Sequence, residues 1–301
     1  SGCVCAGPAD SVIPDGAMAA ITQPLSSPTL SARGRNYLIT GGTQGLGFEI
    51  ATQLKACGAA KVAVIARNAE RGTKAVERLQ AAAGVQEPFE AIFVEADLSD
   101  AAGPGKAVAL ALAAMGTIDG VVNAAATTAR GNLAATTAED WDAMMACNAR
   151  APFLITQAAT RHMIEGGIRG SIVNISSVAG KGGAPFLMAY SVSKAAASAL
   201  TRNNAAELAP HGIRVNCVEM GWCATDNEDA LQRSVKGEDW LQQADASQPL
   251  GRILRPADVA ATVCFLLSDA SLMMTGNVVD LHPEYSSGMI SRLADEAAGG
   301  R

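Results

Sequence analysis

Tyr190 and Lys194 are spaced so that both can act on one bound molecule. They stand four residues apart in the stretch YSVSK, which leads into the alanine-rich run AAASAL. Side chains four residues apart share one face of a helix, with their Cβ atoms about 5 to 6 Å apart. An ammonium group at that distance favours the phenolate and lowers the pKa of a tyrosine. The pair therefore predicts a tyrosine that gives or takes a proton during a reaction, and an ordinary exposed pair is the alternative.

Two serines shortly before this helix can hold the reacting oxygen. Ser176 and Ser177 close the strand-like run in NISSVAG, and Ser177 lies thirteen residues before Tyr190. Open α/β sheets bind their ligands at the carboxyl edge, where such a strand ends. A hydroxyl at this edge can hydrogen-bond a substrate carbonyl and stabilise the charge that develops on it. We therefore predict a site that combines a serine with Tyr190 and Lys194.

A glycine-rich loop follows the first strand-like run of the sequence. The stretch TGGTQGLG carries Gly41, Gly45 and Gly47 between NYLIT and a helix-like segment. Because glycine has no Cβ atom, backbone N–H groups and the positive end of the helix can approach a pyrophosphate closely. A strand, a glycine loop and a helix in this order predict a dinucleotide site. A tight turn without a ligand is the alternative.

The end of the second strand indicates which dinucleotide is bound. A carboxylate there accepts from the ribose 2′-hydroxyl of NAD, whereas a cation accommodates the 2′-phosphate of NADP. The sequence VIARN has no carboxylate at Ala66, and Arg67 offers a guanidinium group suited to a phosphate. NADP(H) is therefore favoured, with NAD(H) possible if Arg67 is only a solvated loop residue. Gln44 adds no second cation from the glycine loop.

Two further strand ends can contact the same cofactor. Asp97, in EADLS, can accept from an adenine amino group or can cap the helix that follows. The stretch from Asn123 to Ala126 places small residues after the next strand. These residues can lie against a flat ligand, or they can simply pack the strand end tightly.

Short β-branched runs alternate with helical segments from Arg35 onward. Strands this apolar, separated by helices, are typical of a mostly parallel sheet covered on both faces. We predict an α/β fold: a single Rossmann-type, doubly wound parallel sheet of about seven strands with helices on both faces. Residues 1–33 are interpreted as a disordered N-terminal extension. Residues 34–301 are then expected to form one dinucleotide-binding and catalytic domain.

Charge, hydropathy and cysteine spacing exclude several classes of function. The formal net charge is −6 and no basic block is present, so nucleic acid is not an expected partner. No apolar run reaches the roughly 18 to 20 residues of a membrane span, and the N-terminal stretch does not resemble a targeting peptide, so a cytoplasmic location is expected. The seven cysteines and three histidines show no metal-ligand spacing, so no metal is expected.

Taken in order, these motifs resemble the classical short-chain dehydrogenase/reductase family from about residue 35 to residue 282. The motifs are TGGTQGLG, ADL, VNAAA, MMACNARAPF, IVNISS, YSVSK and RVNCVEMGWCAT. The resemblance implies that Tyr190 is the general acid/base, that Ser177 orients the substrate oxygen, and that Lys194 tunes Tyr190 and binds the ribose. It also implies that Asn148 holds a water that links Lys194 to solvent. A hydride transfer between NADP(H) and a small carbonyl or secondary alcohol is expected.

The resemblance further implies a set of cofactor-binding residues along the sheet edge. Thr225 is expected to contact the nicotinamide carboxamide, and residues 221–223 to line its pocket. The full set is Gly41, Thr43, Gln44, Gly45, Leu46, Gly47, Arg67, Asp97, Leu98, Asn123, Ala124, Ala125, Tyr190, Lys194, Gly221, Cys223 and Thr225. Two stretches depart from the family pattern: Met220 replaces the usual proline before Gly221, and VDLHPEYSS replaces a final Asp-Gly-Gly.

In this family, the segment from Asp226 to Leu254 is expected to form the lid over the substrate. It is acidic at its start, and acidic groups repel anions. A neutral polyol, sugar or hydroxy-ketone is therefore favoured over an acyl carrier or acyl phosphate, unless these charges are merely solvated. His282 is interpreted as a surface residue.

Two expectations concern assembly and activity. Small residues on the helices that carry Asn148 and Tyr190 favour a homodimer or homotetramer, and packing of these alanines on the sheet is the alternative. A non-catalytic dinucleotide-binding sensor or scaffold is the rival function. The joint presence of Asn148, Ser177, Tyr190 and Lys194 favours an enzyme.

Overall fold

Seven strands make up the sheet in the described part of the chain. The structure, a computed structural model, describes residues 30–82 and 88–282. The strands in these ranges are β1 (Asn36–Thr40), β2 (Lys61–Ala66), β3 (Glu90–Glu95), β4 (Gly120–Asn123), β5 (Ser171–Ser177), β6 (Arg214–Met220) and β7 (Val278–Leu281). They lie in the order β3-β2-β1-β4-β5-β6-β7, and every neighbouring pair is parallel.

Helices connect the strands and cover both faces of the sheet. They are α1 (Gly45–Ala56), α2 (Ala69–Ala81), α3 (Gly103–Met115), α4 (Ala138–Met145), α5 (Ala151–Glu165), α6 (Met188–Leu208), α7 (Asp226–Lys236), α8 (Trp240–Ala246) and α9 (Pro256–Leu267). One buried cluster joins α1, α2 and α9 to the sheet, and a second joins α3, α5 and α6. None of the helices in the described ranges combines the length and the hydrophobicity that a membrane span requires.

Strand β1 explains why the strands read as continuous apolar runs. Successive side chains of a strand point to opposite faces. Leu38 belongs to one buried cluster, whereas Tyr37 and Ile39 belong to the other. Because both faces are covered, all five residues of β1 are buried. The predicted α/β fold with a doubly wound parallel sheet is thereby confirmed.

The strand order reverses between β1 and β4, which are neighbours in space. A crevice opens at such a point, beyond the carboxyl ends of the strands. The two loops that leave β1 and β4 are pinned together there. The Thr40 hydroxyl accepts from the backbone N–H groups of Ala124 and Ala125, both at 3.1 Å. The topology therefore brings the glycine-rich loop and the VNAAA stretch to one place.

Helix ends follow local signals. The Asn68 side chain accepts from the backbone N–H of Arg71 at 2.8 Å and starts α2. Thr137 and Asp140 form a capping box at the start of α4. Gly212, with φ of 70°, ends the turn that follows α6, a backbone conformation that glycine adopts without strain.

Two expectations for the ends of the domain differ from the structure. Ala32, placed in the excluded extension, is only 2% exposed and packs in the core. His282 was expected at the surface, but it is 8% exposed because β6 and β7 bring it against acidic neighbours. Residues 226–254 contain α7 and α8. The rest of the predicted extension, residues 1–29, and the tail 283–301 lie outside the described residues.

Candidate active site

The side chains of Ser177 and Tyr190 meet at the carboxyl edge of the sheet. Ser177 is the last residue of β5, and Tyr190 lies in the first turn of α6. The two side chains are hydrogen-bonded to each other. The Ser177 hydroxyl also accepts from the backbone N–H of Ala179 at 3.2 Å. The turn after β5 therefore fixes the serine hydroxyl beside the phenol.

Lys194 lies one turn further along α6 and is buried. Its Nζ donates to the carbonyl oxygen of Ile175 at 2.8 Å and lies 5.6 Å from the centroid of the Tyr190 ring. Because burial disfavours the charged form, the pKa of Lys194 is lowered to about 8. The Ser176 hydroxyl donates to the backbone carbonyl of Lys194 at 2.8 Å. Ser176 thus joins β5 to α6, and Ser177 is the serine that contacts Tyr190.

The pKa of Tyr190 differs from the sequence prediction. Burial raises it to about 12, the hydrogen bond with Ser177 acts to lower it, and the charge of Glu228 raises it further. For the protein's own groups, the prediction that Lys194 lowers this pKa is therefore wrong. The lysine donates to a backbone carbonyl, and burial brings it close to losing its charge. The phenol is in its protonated form at neutral pH.

Asn148 lies in a π-helical turn, Ala146–Arg150, between α4 and α5. Its amide donates to the carbonyl oxygen of Thr127 at 2.9 Å and to the hydroxyl of Ser193 at 3.0 Å. Its Oδ1 accepts from the backbone N–H of Thr127 at 2.9 Å. Turns of this kind are frequent at functional sites. The Asn148 side chain thus ties the loop after β4 to Ser193, the neighbour of Lys194 on α6.

The glycine loop is shaped by contacts that exclude side chains. Gly41 has a φ of 70°, and a Cβ atom there would lie 2.8 Å from the Cα of Ala125. A Cβ atom on Gly47 would lie 2.4 Å from the carbonyl oxygen of Gly41. Thr43 is 9% exposed, and Leu46 packs against the core. The loop therefore folds back tightly on itself and on the chain after β4.

Gly45 leaves a cradle that fits a dinucleotide pyrophosphate. It begins α1 with a φ of 52°, and a Cβ atom there would meet only the Cβ of Thr225, at 3.9 Å. The N-cap residue Gln44 makes no side-chain hydrogen bond to the first-turn N–H groups. These donors and the positive helix end face the cradle. That combination is the chemistry by which helix starts bind phosphates.

Arg71 is a residue that the sequence analysis missed. Its Nη1 donates to Oε1 of Gln44 at 3.2 Å, and the Gln44 amide donates in turn to Oδ1 of Asn227 at 3.5 Å. Arg67, which follows β2, is exposed and acts electrostatically on Asp97. The signal was available, because Arg71 lies four residues after Arg67, in the first turn of α2. Arg71 therefore places a guanidinium group beside the glycine loop, in addition to the Arg67 group that the sequence predicted at the end of β2.

The side chain of Asp97 is hydrogen-bonded within the turn that follows β3. Its Oδ1 accepts from the backbone N–H and the hydroxyl of Ser99, at 2.9 and 2.7 Å, and these bonds lower its pKa. Helix α3 begins only at Gly103, so Asp97 does not cap it. The next residue, Leu98, is 6% exposed and belongs to a core cluster. Of these two residues, Asp97 is the one whose side chain is exposed at the predicted cofactor site.

The side chain of Asn123 points away from the predicted cofactor. Its amide donates to Oδ1 of Asn174 at 2.8 Å and to the hydroxyl of Thr156 at 3.3 Å. The Asn174 amide donates to the hydroxyl of Thr201 at 2.9 Å. This buried network joins β4 and β5 to α5 and α6. Any contact of Asn123 with a cofactor must therefore use its backbone.

The turn after β6 carries the last predicted contacts. The Gly221 N–H donates to the carbonyl oxygen of Leu281 at 3.0 Å. Cys223 is 5% exposed, and burial raises the pKa of its thiol. The Thr225 hydroxyl accepts from the backbone N–H of Glu228 at 3.3 Å and caps α7. Cys223 is therefore a wall residue, and Thr225 both starts the lid helix and faces Gly45.

An ion cluster lies beyond the ends of β6 and β7. Glu219, Asp280 and His282 bring one ligand atom each to within 4.8 Å of one another. The ammonium of Lys181 lies 3.1 Å from Glu219 and 2.9 Å from Asp280. The cluster thus contains a cation of the protein's own. It connects the turn after Ser177 to the last strand.

Three curated relatives match most of the chain. The inactive 2-(S)-hydroxypropyl-CoM dehydrogenase 2 of Xanthobacter autotrophicus is 38% identical over 73% of this chain and 92% of its own length. The 3-oxoacyl-[acyl-carrier-protein] reductase of Chlamydia pneumoniae is 33% identical over 82% of this chain and 94% of its own. The gluconate 5-dehydrogenase of Gluconobacter oxydans is 33% identical over 85% of this chain and 96% of its own length.

Solved structures and a family model agree with these relatives. A short-chain type dehydrogenase/reductase from Mycobacterium ulcerans has a TM-score of 0.76 at 30% identity, covering 90% of this chain and 99% of its own. A 3-oxoacyl-(acyl-carrier-protein) reductase from Agrobacterium tumefaciens with NADP bound has a TM-score of 0.76 at 27% identity. The match covers 84% of this chain and 95% of the reductase. The family model described as enoyl-(acyl carrier protein) reductase matches residues 41–281. The chain belongs to the short-chain dehydrogenase/reductase family of oxidoreductases.

Proposed function

We propose that this chain transfers a hydride between NADP(H) and a small carbonyl or secondary alcohol, with Tyr190 as the general acid/base. The observation that carries the proposal is the hydrogen bond between Ser177 and Tyr190, with the Lys194 ammonium beside the ring. These groups lie at the same sheet edge as the cradle at Gly45. A dinucleotide in that cradle supplies the hydride, and the protein supplies position and the proton.

In the reductive direction, Tyr190 gives its proton to the substrate oxygen. A phenol whose pKa is raised to about 12 is protonated at neutral pH, which is the form that this step needs. The Ser177 hydroxyl donates to the same oxygen as negative charge develops on it. Lys194, with a pKa of about 8, exchanges a proton readily near neutral pH. Asn148, through Ser193, holds the α6 turn that carries Lys194.

The preference for NADP(H) over NAD(H) is supported by Arg67 and Arg71. Both guanidinium groups are exposed, that of Arg71 donates to Gln44, and no carboxylate stands at Ala66. Two cations suit a 2′-phosphate, and neither offers the acceptor that a ribose 2′-hydroxyl needs. The relative from Agrobacterium tumefaciens has NADP bound. The remaining cofactor contacts predicted above belong to this proposal.

The proposed substrate is neutral: a polyol, sugar or hydroxy-ketone. The start of α7 is acidic, with Asp226, Glu228 and Asp229 in its first turn. Such a lid repels anions. The curated relatives include a gluconate dehydrogenase and an acyl-carrier-protein reductase, so the family accommodates unlike substrates.

The proposed assembly is a homodimer or homotetramer in the cytoplasm. Phe153 on α5 and Val192 on α6 are 41% and 40% exposed. Both lie on helices with many small residues, which permit close helix packing across a symmetric interface. Sedimentation analysis of the purified protein tests this part of the proposal.

The rival proposal is a non-catalytic dinucleotide-binding protein. One relative is itself described as inactive, so membership of the family does not by itself establish turnover. The four residues Asn148, Ser177, Tyr190 and Lys194 are all present and clustered, and a sensor has no chemical need of them together. Measurements of nucleotide binding and turnover separate the two proposals.

The decisive experiment measures nucleotide binding and turnover in Tyr190→Phe. NADPH and NADH are titrated by fluorescence, and carbonyl reduction is followed by loss of nicotinamide absorbance. We expect tighter binding of NADPH, and a loss of turnover of at least about a hundredfold in Tyr190→Phe with unchanged nucleotide binding. Tyr37→Phe is the matched control, because Tyr37 is buried in β1 away from this edge. Binding without any turnover in the wild type favours the rival.

A further inference from the structure

Glu228 lies in the first turn of the lid helix and is held in one orientation. Its Oε1 accepts from the indole Nε1 of Trp222 at 2.7 Å and from the amide Nε2 of Gln232 at 2.8 Å. Its backbone N–H donates to the capping hydroxyl of Thr225. Thr225 faces the cradle at Gly45, so Glu228 lies in the turn of the lid helix whose cap borders the cofactor site.

The donors that bind the Glu228 carboxylate are neutral, unlike those of its neighbours on the lid. Asp229 binds the guanidinium of Arg233 at 2.7 Å, and Asp245 binds that of Arg255 at 2.6 Å. Arg233 also pairs with Glu238. An indole and an amide orient a carboxylate but do not cancel its charge. Among the described lid residues, Glu228 is therefore a fixed negative charge whose two side-chain donors, an indole and an amide, are both neutral.

The charge of Glu228 reaches the reacting groups. It raises the pKa of Tyr190 and that of Cys223. Tyr190 is the proposed proton donor, and Cys223 lines the adjoining wall. Lys236, on the same helix, lies over the Trp222 ring, 5.4 Å from its centroid, so one cation of this helix stacks on the indole that orients Glu228.

We propose that Glu228 selects the substrate by charge. A carboxylate or phosphate next to the reacting carbonyl would be repelled, because Glu228 is a carboxylate fixed in the lid turn whose cap, Thr225, faces the cradle at Gly45. A hydroxyl in that position can instead donate to the carboxylate. The preferred substrate is then a ketone or aldehyde with a neutral hydroxyl beside the carbonyl. This inference rests on the proposed function and narrows its substrate class.

Two ketones with the same three-carbon skeleton test the selection. Dihydroxyacetone and hydroxypyruvate differ only in that a hydroxymethyl group replaces a carboxylate beside the carbonyl. The ratio of their kcat/KM values with NADPH is measured for the wild type, Glu228→Gln and Asp229→Asn. We expect the wild type to favour dihydroxyacetone, and Glu228→Gln to reduce that ratio about tenfold, which corresponds to about 1.4 kcal/mol. Asp229→Asn removes the same charge one residue along and should leave the ratio within about twofold.

A second measurement needs no turnover. In a Trp141→Phe background, Trp222 is the accessible indole of the described residues, because Trp240 is fully buried. Its fluorescence is quenched by iodide, an anion, and by acrylamide, which is neutral. We expect Glu228→Gln to raise the iodide quenching constant at least about twofold and to leave the acrylamide constant unchanged. Asp229→Asn should change neither constant.

The outcomes separate this inference from the proposed function. If the protein reduces ketones but Glu228→Gln changes neither the ratio nor the iodide quenching, the inference is overturned and the function stands. An equal effect of Asp229→Asn also overturns it, because the charge would then act without regard to position. If no ketone is reduced, the proposed function fails, and the iodide measurement alone decides whether Glu228 imposes a charge on the site.

Discussion

The ammonium of Lys194 donates to the carbonyl oxygen of Ile175, 2.8 Å away, and is held there inside the protein. This bond places a cation at the end of β5, beside Tyr190. The position is electrostatically unfavourable, since burial lowers the pKa of Lys194 to about 8. Sites that keep such groups exchange stability for function.

Lys194→Met should therefore be inactive and more stable at neutral pH. An unfolded lysine titrates at about 10.4, so between about pH 8 and 10.4 the unfolded wild type binds more protons than the folded one. Its free energy of unfolding then rises with pH through that window. At pH 7, we expect the methionine variant to gain about 2 kcal/mol, after loss of the hydrogen bond to Ile175. The gain should shrink as the pH approaches 10.

Urea unfolding at pH 7 and pH 9.5 measures this difference. Lys55→Met is the matched control, because Lys55 is also buried but donates to three carbonyl oxygens, those of Leu79, Gln80 and Ala82. Loss of these three hydrogen bonds in Lys55→Met should destabilise the protein. A Lys194→Met variant that is less stable than the wild type at pH 7 would contradict the prediction.

Arg71→Ala and Arg67→Ala should weaken NADPH binding selectively. Each removes one of the two guanidinium groups that we assign to the 2′-phosphate, and a charge-assisted bond to a phosphate contributes about 1.5 to 3 kcal/mol. We expect each variant to raise the Kd for NADPH about tenfold or more and the Kd for NADH by less than about twofold. Lys74→Ala is the control, since Lys74 is on the same helix but pairs with Glu70 at 2.6 Å. Equal losses for both nucleotides would refute the 2′-phosphate assignment.

The fold could be predicted because its signals are local. Each strand is a short β-branched run, and each loop at the carboxyl edge has its own motif. Gly41 and Gly47 are examples, since the contacts that exclude a Cβ atom there lie within the loop or on its neighbour after β4. Ser177 could be placed next to Tyr190 for the same reason, because one strand end and one helix start bring them together.

The contacts of several predicted site residues could not be predicted, because they depend on residues that are distant in the sequence. The four-residue spacing places Lys194 on the face of Tyr190, but the backbone of β5 captures its ammonium. Asn123 was expected at the cofactor, yet its amide meets Asn174 on the neighbouring strand. His282 reads as a terminal polar residue, and only the pairing of β6 with β7 buries it. These contacts join segments that are distant in sequence.

Lys181→Met should destabilise the protein, because it leaves Glu219 buried without its cation. The Glu219 side chain is 6% exposed and that of Lys181 is 25% exposed. Breaking a buried pair typically costs about 3 to 5 kcal/mol, and partial exposure of the lysine reduces this to about 2. The double variant Lys181→Met/Glu219→Gln should recover more than half of the loss. The double-mutant cycle compares the denaturant midpoints of the wild type, Lys181→Met, Glu219→Gln and the double variant. Additive losses of stability would show that the pair is not coupled.

Gly45→Ala should weaken NADPH and NADH equally, which separates the pyrophosphate cradle from the 2′-phosphate site. Gly45 has a φ of 52°, and its added Cβ would project into the cradle that faces Thr225, at 3.9 Å. The methyl group would occupy the space that we assign to the dinucleotide. We expect both Kd values to rise about tenfold or more.

Gly116→Ala is the control for backbone strain. Gly116 has a φ of 84° at the end of α3, and its added Cβ would meet nothing within 4 Å. Both substitutions therefore cost about 1 kcal/mol of stability through the left-handed backbone. Only Gly45→Ala places a methyl group in the cradle. Because the two variants should lose similar stability, nucleotide titration distinguishes a blocked cradle from backbone strain. If Gly45→Ala bound both nucleotides like Gly116→Ala, the cradle would not be where the pyrophosphate lies.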